Sequence, residues 1–430
     1  MPGRDVEVVV VGGGAAGVAS ARRLRKAGVD CLIVEARGRL GGRAWTITDK
    51  SGFALDLGCG WLHSADRNPW VTIAQEQGAA IDKSRPPWAR AMRDIGFPHA
   101  EQKEFQEAMD AFVARVEHAA AGDSDGPAGD SLEPGCRWNG LIDAISTYIS
   151  GAEWHRVSAK DYDRYHDTGV NWRVVKGYGA LISACGEDFP AALDCEVRAI
   201  DHRGKRLRIE TAKGAIAADQ VIVTIPSALL AAERLSFAPA LPEKIEAARG
   251  LPLGLADKLF IALAGAEEFE PDTRVFGHID RAATANYHFR PFGRPMIEAY
   301  FGGRFAAKLE QGGDAAFFDA AVSDLVGLFG AAFAGRIKPI AIHRWGADPF
   351  ALGSYSYASP GFADCRPKLV EPVDGRLFFA GEACSIHDFS TAHGGWHTGV
   401  SAAEQVLALR RAQSRPRREL QRPRPPTMGR

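Results

Sequence analysis

The sequence predicts an α/β fold in which one largely parallel sheet, assembled from separated parts of the chain, is interleaved with a second, α+β unit. Three observations carry that reading. Val6 to Val11 form an unbroken apolar run, as expected of a strand covered on both faces. Gly12-x-Gly14-x-x-Gly17 follows directly and opens a stretch of helix formers, Ala15 to Ala27, closed by Gly28. Apolar runs of the same kind recur far downstream, at 221–225 and within "GRLFFAGEA" (375–383).

Taken in order, "CLIVEA" (31–36) reads as the second buried strand. From Pro69 to about Pro190 the pattern is helical; Phe105, Met109, Phe112, Val113 and Val116 share one face at helical spacing. Residues 121–135, "AGDSDGPAGDSLEPG", form a polar Gly/Pro-rich loop. Residues 195–226 alternate like antiparallel strands, turn at Arg203-Gly204, and end in the buried run at 221–225. Residues 256–345 mix strands and helices, and "GGWHTGVSAAEQVLALRRA" (394–412) is a last helix. The layout predicts a discontinuous first domain (1–70, 191–250 and 370–411), a second domain (71–190 and 251–369), and a disordered basic Pro/Arg tail at 412–430.

Bulk properties narrow the class. The 430 residues are 46% hydrophobic and 24% charged, with a net charge of -1, which suits a globular protein and argues against a nucleic-acid specialist. That value hides an asymmetry: residues 410–430 hold eight Arg against Glu419, so without them the body carries -8, which favours a cationic partner. Nucleic acid or an acidic partner is expected, if at all, only through that tail. Seven cysteines with no CxxC spacing fit a reduced, cytoplasmic pool, and neither a signal peptide nor a run long enough to cross a bilayer is visible. The sequence does not specify an oligomeric state. No metal-ligand spacing and no Gly-x-Ser-x-Gly elbow are present.

The chemistry starts at the first turn. Gly12 permits the tight turn, Gly14 lets backbone approach a pyrophosphate, Ala16 lies in the first helical turn, and Gly17 lets helix and strand pack closely. Glu35 ends the second strand, where an acid hydrogen-bonds ribose hydroxyls. Arg37, Gly41, Gly42 and Arg43 follow at once and suit a second phosphate contact.

The pieces Gly12–Gly17, "RLGGR", "DLGCGWLHS", "ADKLFIAL", "RWGADPFALGSYSY" and "LFFAGEACSIHDFSTAHGG" occur in the order found in the flavin-containing amine oxidases, which the chain resembles from about residue 5 to 410. "GCGWLHSADRNP" (58–69) is most similar to the polyamine oxidases, of the spermine or N-acetylpolyamine type. The resemblance implies a Rossmann-like FAD-binding domain interleaved with a substrate domain, the GR2-type flavoprotein fold. It implies an oxidase that passes a hydride equivalent from an amine α-carbon to flavin N5, releases an imine that hydrolyses to an aldehyde, and reduces O2 to hydrogen peroxide.

Residue by residue, the resemblance makes Lys258 the lysine that holds a water toward flavin N5. It makes His63 a tunnel histidine that meets the substrate amine, and Tyr355 one wall of an aromatic cage. Trp61, Phe389 and Thr391 would line the substrate path; Thr391 stands where some members carry Tyr, which leaves Phe389 as the facing aromatic. Gly58, Val197, Trp345, Gly381, Glu382, Thr391 and Ala392 would border the cofactor. Trp345 and Tyr357 also read as packing. Ser354 stands where monoamine oxidases carry the cysteine that bonds the flavin, so FAD is expected to be non-covalent. Competing readings are a monoamine or L-amino-acid oxidase or dehydrogenase on the same fold, and a flavin-holding interaction module. An amino-acid oxidase needs an arginine clamp for the carboxylate, and no motif announces one.

Overall fold

The computed structural model describes residues 5–414. The expectation for the basic tail falls largely outside them, and the last helix runs to Ser414.

An eight-stranded sheet runs in the order Ser236–Ala238, Val197–Asp201, Leu207–Thr211, Gly214–Val223, Asp5–Val11, Cys31–Val34, Ala191–Ala192. Leu377–Phe379 lies beside the far end of Gly214–Val223. That long strand serves two partners in succession along one edge. Gly214 to Ala218 pair antiparallel with Leu207–Thr211, and Val221 to Val223 pair parallel with Leu377–Phe379. Its other edge runs parallel to the N-terminal strand from Asp5↔Ala217 to Val11↔Val223. Val8, Val9 and Val10 are fully buried because both faces of this sheet are covered, which is why the run carries no polar alternation.

Two expected strands are shorter than the apolar runs suggest. The second stops at Val34 because the Glu35 carboxylate folds back, accepting from the backbone N–H of Gly13 (2.6 Å) and of Arg37 (2.8 Å). The last covers only Leu377–Phe379, since Gly381, at φ 143°, leaves extended pairing and starts a short 3-10 turn at Glu382–Cys384.

The first helix, Ala15–Lys26, packs against the last, Ala392–Ser414. Ser20 Oγ donates to both Ala16 O and Gly399 O at 2.9 Å, and a Cβ on Gly399 would sit 2.2 Å from Ala16 O. The first and last described helices therefore pack together against the same sheet.

The second sheet is antiparallel, in the order Thr273–Phe276, Asn286–Phe289, Met296–Gly302, Ala256–Leu263, Ile337–Ile342. Its two faces differ. Leu259, Ile261, Val275, Tyr287, Phe289, Ile297 and Ala299 form one face and pack with Phe317, Ala321 and Leu325 of the helix Asp314–Phe329. Each such large side chain contributes roughly 1.5–3 kcal/mol by leaving water. The other face carries Lys258, Glu298, Tyr300, His288, Asn286 and Arg274, and it turns inward toward the first sheet.

A helical layer closes one side. The expected amphipathic helix spans His99–Ala120, with Phe112 and Val116 buried against Trp138, Leu141 and Trp154, and Phe105, Met109 and Val113 half-buried beside them. Within the expected loop at 121–135, Ala128–Ser131 forms a short 3-10 turn. All seven cysteines are unpaired. Among the described residues no helix is long and apolar enough to cross a membrane, and no group of His, Cys, Asp and Glu could hold a metal ion.

Candidate active site

One cavity of about 890 Å³ extends from the first glycine turn to the polar face of the second sheet. Every residue expected at the cofactor or substrate lines it except Gly17, and Tyr357 packs in the core as its packing reading predicts. Gly17 acts behind the wall, where a Cβ would lie 1.9 Å from Gly12 O.

At the glycine end the wall is backbone. Gly12 sits at φ 103°, and a Cβ there would meet Thr224 Oγ1 at 2.7 Å. Helix Ala15–Lys26 begins at Gly14 with no side-chain cap, so its first N–H groups open on the cavity. Around Gly14 the nearest atoms to an added Cβ are 3.8 Å away, which leaves room for a group to approach. Gly41 (φ 100°) and Gly42 (φ 59°) curl the next turn against it, with Gly41 N–H donating to Gly13 O at 2.8 Å. Gly58 fits only as glycine, since a Cβ would lie 1.7 Å from Arg43 O. Val197 supplies an apolar patch.

The two arginines of this end are held by acids. Arg37 gives Nη1 and Nη2 to Asp348 Oδ1, both at 2.9 Å. Arg43 Nη1 donates to Glu382 Oε1 and to Ser354 O, each at 2.8 Å. Glu382 also accepts from Ser356 Oγ (2.6 Å) and Ser390 N–H (2.9 Å). Burial alone would raise the pKa of Glu382, yet Arg43, Ser356 and Arg366 hold it below the usual carboxylate range. Trp345 donates its indole N–H to Leu57 O at 3.0 Å, which fixes the ring between Gly58 and the lysine strand. The Thr391 hydroxyl donates to Asp388 O (2.6 Å) and accepts from Gly394 N–H (3.0 Å), so it caps the last helix, which starts at Ala392.

At the other end the wall is side chains. Lys258 is 5% exposed, so it does not snorkel to solvent. Its Nζ lies 3.1 Å from Glu298 Oε1 and donates to Asp56 O at 3.1 Å. Burial works to lower its pKa, but Glu298, Tyr300 and Asp56 more than offset that, and the ammonium is held above its ordinary value. Glu298, half-buried beside it, is kept below the usual range by Lys258 and His288 against the opposing effect of burial. The charges continue under the cavity floor: Glu298 to His288 at 4.0 Å, His288 to Asp272 at 2.8 Å, Asp272 to Arg173 at 2.8 Å.

Tyr355 donates to Tyr148 O at 2.5 Å, with Tyr300 OH 3.3 Å away, so its ring is pinned from both sides. Phe389 packs edge-on against Tyr165 at 5.2 Å, and Arg366 lies 3.8 Å over its face. Trp61 lies edge-on to the exposed Trp88 at 4.4 Å. His63 Nδ1 meets Asn171 Oδ1 at 2.6 Å, which places the ring proton on Nδ1 and leaves Nε2 as an acceptor. Burial lowers the His63 pKa despite Asp167 nearby, so the ring is neutral near pH 7. Cys59 also lines the cavity, but burial pushes its thiol up to about 12 and leaves it unreactive.

Sequence reasoning missed Glu298, Tyr300, Tyr148, Arg274, Asn286, His288 and Asn171. The signal for four of them was alternation: "NYHF" and "MIEAYFG" place polar residues at alternate positions, on the face that Lys258 shares, which Arg274 of "TRVF" joins through register alone.

The family described as flavin containing amine oxidoreductases matches residues 15–133 and 153–407. Polyamine oxidase 5 of Oryza sativa subsp. japonica is 29% identical over 92% of this chain and 87% of its own length. Polyamine oxidase 2 of Arabidopsis thaliana is 27% identical over 94% and 88%. The human lysine-specific histone demethylase 2 is 25% identical over 94% of this chain but only 53% of its own. Among solved structures, wild-type putrescine oxidase bound to putrescine superposes with a TM-score of 0.73 at 18% identity, covering 94% of this chain and 99% of that one.

Proposed function

The chain belongs to the family of flavin-containing amine oxidoreductases and is an FAD-dependent amine oxidase; from that premise we propose that it oxidises a polyamine-like aliphatic amine, with O2 as acceptor and hydrogen peroxide as product. The observation that carries this reading is the single cavity joining an uncapped helix N-terminus to a buried, charged lysine.

The glycine end suits the cofactor: free N–H groups and a Cβ-free approach at Gly14 would hold a pyrophosphate, with Glu35 at the ribose and Val197 at the adenine. Bound FAD supplies the acceptance of a hydride equivalent from the amine α-carbon. Non-covalent attachment is supported at Ser354, whose hydroxyl donates to Ala256 O and accepts from Ala256 N–H, clamping the lysine strand. Arg43, braced by Glu382, would carry positive charge toward the cofactor.

Two of the three Lys258 donors are engaged by Glu298 and Asp56, which leaves a third for the cavity. The Tyr355, Tyr300 and Phe389 rings orient the amine and keep water away. Neutral His63 offers Nε2 to an arriving ammonium, and the amine reacts once that proton is gone. The imine then leaves and hydrolyses. Turnover should therefore rise with pH through the substrate's own titration. The unpaired cysteines support a reducing, cytoplasmic setting.

The test is an amine panel scored by anaerobic flavin bleaching, with peroxide measured when air is admitted. Bleaching by spermine, spermidine or their acetylated forms, followed by peroxide, is the expected result. Bleaching by α-amino acids alone would overturn the polyamine-like assignment.

A further inference from the structure

The cations of the cavity wall are not treated alike. Arg37, Arg43 and Lys258 each face a carboxylate, Asp348, Glu382 and Glu298 respectively. Arg274 lines the same cavity and has no ion-pair partner among the described residues. Its Nε donates to Asn286 Oδ1 at 3.0 Å and its guanidinium lies 4.5 Å over the Phe276 ring. Those two contacts fix the plane of the fork, while neither Nη group has a protein acceptor. A guanidinium enclosed without a counter-charge is costly, and burial lowers its pKa to about 10. A fork so fixed, with its outer N–H groups unspent, matches a planar carboxylate.

The sheet sets the distance. Lys258, Tyr300, Asn286 and Phe276 are consecutive cross-strand partners, and Glu298, His288 and Arg274 form the next row on the same face. Three strand spacings separate the lysine strand from the arginine strand, about 14 Å. Arg274 thus stands across the cavity floor from the reactive end, at the length of an extended aminoalkyl chain. Other acids also line the cavity: Asp167 on the His63 side, 3.9 Å from Nδ1, and Glu117, Asp163 and Glu196, none of which pairs with Arg274.

We propose that Arg274 anchors the end of the substrate remote from the oxidised nitrogen, and that a polyamine-like chain ending there in a carboxylate is preferred over one ending in an amide or an ammonium. The proposal rests on reading the cavity as an amine site and sharpens its substrate class to long aminoalkyl carboxylates. Such a substrate would come from a reaction that attaches or unmasks a carboxyl group at one end of a di- or polyamine.

The experiment compares three probes of equal length on the FAD-loaded enzyme: 8-aminooctanoate, its amide, and 1,8-diaminooctane. Wild type should show kcat/KM for the carboxylate about 10- to 100-fold above the amide, the worth of a charge-assisted pair, and above the diamine. Arg274→Met should collapse the carboxylate-to-amide ratio by the same factor, and Arg274→Lys should restore part of it. Independently of turnover, octanoate should raise the melting temperature of wild type and not of Arg274→Met. A wild-type preference for the diamine, or a ratio that survives Arg274→Met, would overturn the anchor while leaving the amine reading intact. Failure of all three probes and of simple amines to bleach the flavin would overturn both.

Discussion

The two ends of the cavity are built by opposite means. At the glycine end, proposed for the cofactor, the close approach is main chain: Gly12, Gly14, Gly41 and Gly58 leave out a Cβ so that backbone and helix N–H groups come close within one stretch of sequence, and Val197, Trp345, Glu382 and Thr391 join it from further along. At the lysine end, proposed for the amine, the wall is side chain: Lys258, Arg274, His288, Glu298 and Tyr300 come from four strands and meet only through register. The difference teaches that binding a constant group can be encoded locally, whereas selecting a variable one is encoded in which strand faces which.

The comparison can be broken at either end, and the largest effect belongs to the backbone. Gly17→Ala would push a Cβ to 1.9 Å from Gly12 O, and the strand and helix must part. We expect a loss of about 3 kcal/mol in denaturant unfolding, together with loss of visible flavin absorbance. Retained flavin at wild-type stability would show that the close packing does not matter. Next comes Lys258→Met, which removes the buried ammonium and strands Glu298. Stopped-flow measurement of reduction and reoxidation separately should find one of them slowed by about 100-fold.

A smaller effect sharpens the amine end. Glu298→Gln takes away the main attraction that keeps Lys258 above its ordinary pKa, while burial, which lowers it, remains. The wild-type lysine stays charged throughout an ordinary assay range. In the variant it should lose its proton within the alkaline range, so the pH–rate profile should gain a falling limb at high pH. An unchanged profile would mean that Asp56 and Tyr300 suffice. Smallest is Tyr355→Phe, which keeps the ring and removes the bond to Tyr148 O. A roughly 2- to 10-fold fall in kcat/KM is expected, the worth of one neutral hydrogen bond.

Legibility followed the same division. The strand at Val6 to Val11, the glycine turn and the helix after it were readable because apolar run, turn and helix follow one another without interruption. Glu35 was placed at the right strand end, but its engagement by Gly13 and Arg37 backbone was not visible, since carboxylate capping of a turn leaves no pattern. Lys258 stood out as a charge within an apolar strand, yet its partner lies forty residues on, in Met296–Gly302, and pairing at that separation is decided by sheet topology. Arg274 was overlooked for the same reason: in isolation "TRVF" is any edge strand, and only the register shows that its arginine shares a face with the lysine.

The central claim is that one cavity holds flavin at the glycine turn and amine against the lysine strand. A crystal structure of the FAD-loaded enzyme with a slow amine analogue tests it most directly. The account predicts the pyrophosphate at the N-terminus of helix Ala15–Lys26, the flavin ring between Lys258 and Tyr355, and the analogue over the face that carries Glu298 and Tyr300. A flavin ring lying away from Lys258, or an analogue bound outside this cavity, would contradict it.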